Sequence, residues 1–183
     1  MIIGIAGTIG AGKGTVVKYL MSKGFAHYSA SAILKEVLTE RGLPLTRTYM
    51  SPLADELMAQ YPGGVLYVAH EHALRDGVKD YILEAIHRES EAAYVRSIGG
   101  IILGVDADIR TRYERSVKRQ EGEKDNVTYE QFLADAKRED EGQSGGGPNI
   151  RAVLTNADAV LMNNGTQEEL FEQVEEVLKK ALF

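Results

Sequence analysis

The 183 residues predict a three-layer α/β fold, with a five-stranded parallel sheet between helices on both faces. Two observations carry this prediction. Five short apolar segments, at residues 2–6, 25–28, 80–86, 100–105 and 159–162, alternate with longer segments of helical pattern. The first of them runs straight into a glycine-dense loop, Gly7-Thr-Ile-Gly10-Ala-Gly12-Lys13-Gly14-Thr15, and then into a helix.

The elements follow in order. Residues 2–6 are apolar throughout, as in a strand buried on both faces. The first helix continues through residues 16–22 and stops at Gly24. Residues 31–41 predict a helix with Ser31 as N-cap and Gly42 as its stop. Residues 44–51 read as a loop, and Ser51 with Pro52 as the entry to a helix reaching Gln60. Another helix is expected over 62–75, closing near Gly77. Helices at 89–97 and 107–119 flank the fourth strand, and the second of these is strongly charged. Thr128-Tyr-Glu-Gln131 resembles a capping box and opens a helix over 128–141. Residues 142–149 are glycine-rich and read as a hinge. A short helix at 150–156, the last strand and an amphipathic helix over 166–182 complete the chain. The whole chain, 1–183, reads as one domain with no internal repeat.

The glycine-dense loop has the chemistry of a phosphate cradle. Glycines let the backbone wrap closely, so that successive N–H groups point inward at an anion. The helix that starts near Lys13 adds its N-terminal dipole. Lys13 is a mobile point charge able to follow a transferring phosphoryl group. A nucleoside triphosphate is the expected ligand, with Gly10, Ala11, Gly12, Lys13, Gly14 and Thr15 binding it. In a doubly wound sheet, ligands sit beyond the carboxyl ends of the strands. The segments 7–15, 29–35, 84–88, 106–119 and 163–166 are therefore the candidates for a site.

Composition narrows the classes. The formal net charge is −6, so no global basic field favours nucleic acid. There is no cysteine, hence neither a disulfide framework nor thiol chemistry. No apolar stretch approaches the length of a membrane span, and a cytoplasmic protein, monomer or homodimer, is expected. His70 and His72 are two apart on a predicted helix and do not share a face, which argues against a metal site there. No Asn-Lys-x-Asp segment is present to read guanine, so a GTPase switch is disfavoured.

The order Gly12-Lys13-Gly14-Thr15, with a glycine between lysine and threonine, resembles adenylate kinase and its nucleoside-monophosphate kinase relatives among the P-loop NTPases. The resemblance implies ATP and Mg²⁺, with the metal held largely by phosphates and water, so Thr15 is a weak metal ligand. It implies acceptor-binding helices over about 31–76 and a helical lid over about 115–150. Arg115 and Arg119, four apart on one helix face, match the pair that begins the lid. The first would pack over the adenine ring and the second reach the triphosphate. A solvated helix with pairs such as Glu114–Lys118 is the alternative reading. Lys137 and Arg138 match the other lid arm.

On the acceptor side, residues 27–35 stand where these kinases carry a Thr-Gly-Asp segment followed by an arginine. Here those positions are Ala32 and Lys35, with Ser29 close by. Residues 81–88 stand where related nucleotide kinases carry Asp-Gly-Ile-Arg. Glu84 replaces the aspartate, either to hold metal-bound water or to accept an acceptor proton, and His87 or Arg88 takes the arginine's part. The turn Asn163-Asn164-Gly165-Thr166 resembles that of dephospho-CoA kinase, whose backbone faces the adenine edge. It implies adenine contacts for Asn164 and Gly165. Thr166 is equally an N-cap completed by Glu169.

The expected function is transfer of the γ-phosphoryl of ATP to a nucleotide-like small molecule. A nucleoside or deoxynucleoside monophosphate leads, and dephospho-CoA is the rival acceptor. The altered acceptor positions leave a non-catalytic nucleotide-binding module as the alternative of another class.

Overall fold

The computed structural model describes residues 1–119, 128–141 and 148–181, without the side chains of Arg119 and Glu141. Five parallel strands form one sheet in the order β2-β3-β1-β4-β5: β1 (Ile2–Gly7), β2 (Ala26–Ser29), β3 (Tyr81–Ile86), β4 (Ile101–Asp106) and β5 (Ala159–Met162). The predicted fold class is the observed one.

The central strand shows why the sheet is covered on both faces. Ile3 and Ile5 of β1 pack with Val16, Leu20, Leu103, Leu161 and Val174 on the side of α1 (Lys13–Ser22) and α9 (Gln167–Ala181). Gly4 points the other way, where a Cβ would stand 2.4 Å from Ile86 and 3.0 Å from Ile102. That second face is covered by α2 (Ala30–Glu40), α3 (Arg47–Gln60), α4 (Val65–Arg75), α5 (Glu89–Ser97) and α8 (Ile150–Thr155). Side chains alternate across a strand, so a run without polar residues can serve two cores.

The remaining helices, α6 (Ile109–Arg119) and α7 (Tyr129–Glu141), follow β4. They pack through Tyr113, whose ring lies 5.1 Å from Tyr129 and 5.5 Å from the fully buried Phe132. Thr128 accepts the Gln131 N–H at 3.3 Å, as the capping pattern predicts. Most of the predicted hinge at 142–149 and much of the predicted lid at 115–150 lie outside the described residues.

Three predicted helix starts are corrected. The second helix is capped by Ser29, which accepts the Ala32 N–H at 3.1 Å, so Ser31 lies within the first turn. An N-cap needs extended backbone, and the last residue of β2 already has it. The third helix starts at Arg47, with Pro52 inside it. The proline ring removes one hydrogen bond, to the exposed Thr48, which water can satisfy. The fourth starts at Val65, since Gly63 and Gly64 form the turn before it.

Ile5 has no solvent exposure and sits where β1 meets both neighbouring strands. Ile5→Ala should cost about 2–5 kcal/mol. Urea unfolding should show a lower midpoint at an unchanged slope.

Candidate active site

The strand register brings three chain segments to one rim. Glu84 of β3 stands opposite Ile5 of β1 and Ser29 of β2. Beyond those positions β1 enters the glycine loop, β2 enters α2, and β3 enters the turn to α5. Two cavities open there.

The first is about 640 Å³ and is lined by Gly10, Gly12, Lys13, Gly14, Thr15, Lys18, Glu84, Arg115 and Ser116. Its floor is the loop. Gly10 and Gly12 adopt φ of 76° and 98°, in the left-handed region that side chains rarely take. A Cβ on Gly10 would also meet the Arg112 carbonyl at 2.4 Å. No side chain caps α1 at Gly12, so its N-terminus is open to an anion. The Lys13 ammonium donates to the carbonyls of Gly7 at 2.8 Å and Thr8 at 3.0 Å.

The loop is pinned from outside. Thr8 donates to Asp106 at 2.7 Å, and both are buried. Arg112 donates through Nε to the Ile9 carbonyl at 2.9 Å, and Asn163 donates to the Ala11 carbonyl at 2.8 Å. Arg115 donates to the Asn163 carbonyl at 2.8 Å. Asp106 also accepts from Arg151 at 3.0 Å, and Arg151 reaches Asp140 at 2.9 Å. Thus β4, β5, α6, α7 and α8 all bear on one loop.

The second cavity is about 320 Å³, with Ser29, Leu34, Met58, Leu66, Glu84, His87 and Arg88 among its walls. Glu84 lines both cavities. His27 lies 2.7 Å from its Oε2. That hydrogen bond holds the Glu84 carboxyl below the usual 4.5 against the opposing effect of burial, with Lys13 and His87 adding to the lowering. Burial chiefly, then the charges of Lys13 and Arg88, pull His87 down to about 4. His87 is therefore neutral at pH 7, and Arg88 is the cation on this wall. Arg88 lies 3.5 Å from Asp55 and 3.6 Å from Glu91. Buried Glu91 accepts the backbone N–H groups of His87 at 2.7 Å and Arg88 at 3.0 Å, which fixes the turn carrying both.

Gly10, Gly12, Lys13, Gly14, Thr15, Arg115 and Glu84 line the first cavity, and Ser29, Glu84, His87 and Arg88 the second, whereas Ala11 is buried in the core and lines neither. Lys35 is exposed and lines neither. Arg138 is exposed and pairs with Asp135 at 3.2 Å. Asn164 and Gly165 stand off the first cavity; Asn164 accepts the Asp108 N–H at 2.7 Å, and Thr166 with Glu169 forms a reciprocal cap. His70 bonds Tyr81 at 2.6 Å, and His72 lies 3.7 Å from Glu36. The Arg119 side chain lies outside the described residues. Sequence reasoning gave no role to His27, Lys18 or Glu91, and named the segments 106–119 and 163–166 without assigning the Thr8–Asp106–Arg112 contacts or the bond from Asn163. Asn163 carried a usable signal, since it directly follows β5 on the same rim.

A parallel α/β sheet with such a loop after β1 defines a P-loop fold of the kind built by small-molecule kinases. Residues 3–142 match the AAA domain family. A UPF0200 protein of Sulfurisphaera tokodaii is 30% identical, the match spanning 99% of this chain and 97% of the relative. The chain belongs to the AAA domain family and to the UPF0200 proteins within reach of it. Among solved structures, shikimate kinase from Acinetobacter baumannii superposes with a TM-score of 0.58 at 17% identity, covering 100% of this chain and 95% of that one. Dephospho-CoA kinase from Campylobacter jejuni gives 0.53 at 16%, covering 98% of each. These two likenesses bear on the fold.

Because the folded protein holds His87 below its usual 6.5, unfolding takes up a proton below that value. The stability this contributes is whole above pH 6.5 and is lost as pH falls towards 4. His87→Asn should flatten that loss. Melting curves at pH 7 and pH 5 should show a larger drop for the wild type than for the variant.

Proposed function

We propose that the protein transfers the γ-phosphoryl of ATP to a nucleotide-like small molecule, in the manner of adenylate-kinase-related enzymes. The observation that carries this reading is Glu84, one carboxylate shared by a glycine-loop cavity and a second, mainly apolar cavity holding Arg88. A donor and an acceptor seated there would meet beside Glu84 and Lys13.

The chain would work as one kinase domain, with α2–α4 forming the acceptor side and residues 115–150 the lid. The loop backbone and Lys13 would hold the β- and γ-phosphates, and Arg115 and Arg119 would offset charge on the transferring group. Thr15 and Glu84 would hold Mg²⁺, directly or through water, and the ion would supply neutralisation of charge on the phosphate oxygens. Catalysis would be mostly positioning and exclusion of water. Arg88 supports an anionic acceptor, and a (deoxy)nucleoside monophosphate is the leading one. Lys35 and Arg138 would reach it only on closure of their helices.

The Glu84–His27 contact favours a second acceptor class. An acceptor phosphate is already anionic and needs no base, whereas a hydroxyl must lose a proton. An ionised carboxylate braced by an imidazole suits a hydroxyl acceptor such as the ribose of dephospho-CoA.

Incubation with Mg-ATP and a panel of nucleoside monophosphates and dephospho-CoA, read by product mass, should reveal one phosphorylated acceptor. Lys13→Met should lower that transfer by about 10²-fold or more. ATP binding with hydrolysis alone, and no product from any acceptor, would favour a binding module instead.

A further inference from the structure

Among the described residues, two buried polar atoms beside the glycine loop have no hydrogen-bond partner, Arg112 Nη2 and the hydroxyl of Ser116. Ser116 lies on α6 and is 2% exposed. Its Oγ is buried and makes no hydrogen bond among the described residues. The residue nevertheless lines the glycine-loop cavity, with Lys13, Thr15 and Arg115. A Cβ built on Gly10 would stand 2.9 Å from that oxygen, so the hydroxyl sits against the crown of the loop.

Its neighbours on the helix are all engaged there. Positions three and four apart share a helix face, and Arg112, Arg115 and Ser116 are so spaced. Arg112 donates to the Ile9 carbonyl, and Arg115 donates to the carbonyl after β5. Ser116 faces the same loop and gives nothing to it. Leaving a hydroxyl buried and unbonded is unfavourable, and an alanine would fill the space without that cost. The unused donor acquires a role once an anion occupies the cavity.

We propose that Ser116 is a phosphate-binding residue, its hydroxyl donating to an oxygen of the bound polyphosphate alongside the loop N–H groups and Lys13. A hydroxyl suits this position. It supplies a short charge-assisted hydrogen bond without adding a further cation close to Lys13 and Arg115. It also places α6 in direct contact with the ligand, so that binding would tie the lid helix to the loop. The inference rests on the reading of this cavity as a triphosphate site.

The test compares wild type with Ser116→Ala, using calorimetry with ATP, inorganic tripolyphosphate and adenosine, and thermal melting without ligand. The variant should bind ATP and tripolyphosphate about tenfold more weakly, the worth of one such bond. It should bind adenosine as the wild type does and melt no lower. Unchanged tripolyphosphate affinity in Ser116→Ala would overturn the assignment. So would an equal loss towards adenosine, or a lower melting temperature, since either marks a structural role. A wild type that binds neither ATP nor tripolyphosphate would instead overturn the triphosphate reading itself.

Discussion

The hydrogen bond from Thr8 to Asp106 joins the ends of β1 and β4 at the point where the chain must stop being a strand and become a cradle. The loop that follows has little apolar surface with which to hold itself. Its backbone turns through left-handed conformations at Gly10 and Gly12, which are open to many alternatives in an unfolded chain. Order has to come from outside, and it comes from side chains placed by the sheet. Asp106 fixes the start of the loop, Arg112 its middle and Asn163 its end. Because Asp106 is itself held by Arg151, which also holds Asp140, the same contact links the loop to α7 and α8.

Charge is organised around that cradle against the bulk trend. The chain carries a net charge of −6, yet Lys13, Lys18 and Arg115 line one cavity and Arg88 the next. In the first cavity, three cations against the one carboxylate of Glu84 concentrate positive field in a way that a global sum does not reveal. Glu84 is the counterpoint. It stays ionised because His27 is bonded to it and Lys13 is near, and it lies where the two cavities adjoin. Neutral His87 keeps a second positive charge off the same wall.

Strand number, order of elements and the glycine loop were legible because each rests on local pattern: apolar runs, helix stops and a fixed spacing of glycines. Helix starts were less so. Ser29 and Ser31 are alike as caps in sequence, and only the extended backbone at the end of β2 decides between them. Residues that meet across the fold were harder still. Glu84 stood out by its position, but its pairing with His27 depends on β2 lying beside β3, which the order of elements along the chain does not specify. Lys35 looked like a phosphate ligand by position, and the turn of α2 puts it on the exposed face. Ser116 carries no signal in sequence, since a serine four residues from an arginine on a charged helix is ordinary.

Phosphoryl transfer between the two cavities requires donor and acceptor to be bound together and to meet at Glu84. A crystal structure with a dinucleoside polyphosphate tests it most directly. The polyphosphate chain should run from the cradle at Gly10–Thr15, past Glu84, with the second nucleoside in the cavity beside Arg88. A ligand seated in the loop cavity alone, with its second nucleoside in solvent or elsewhere on the surface, would contradict this arrangement.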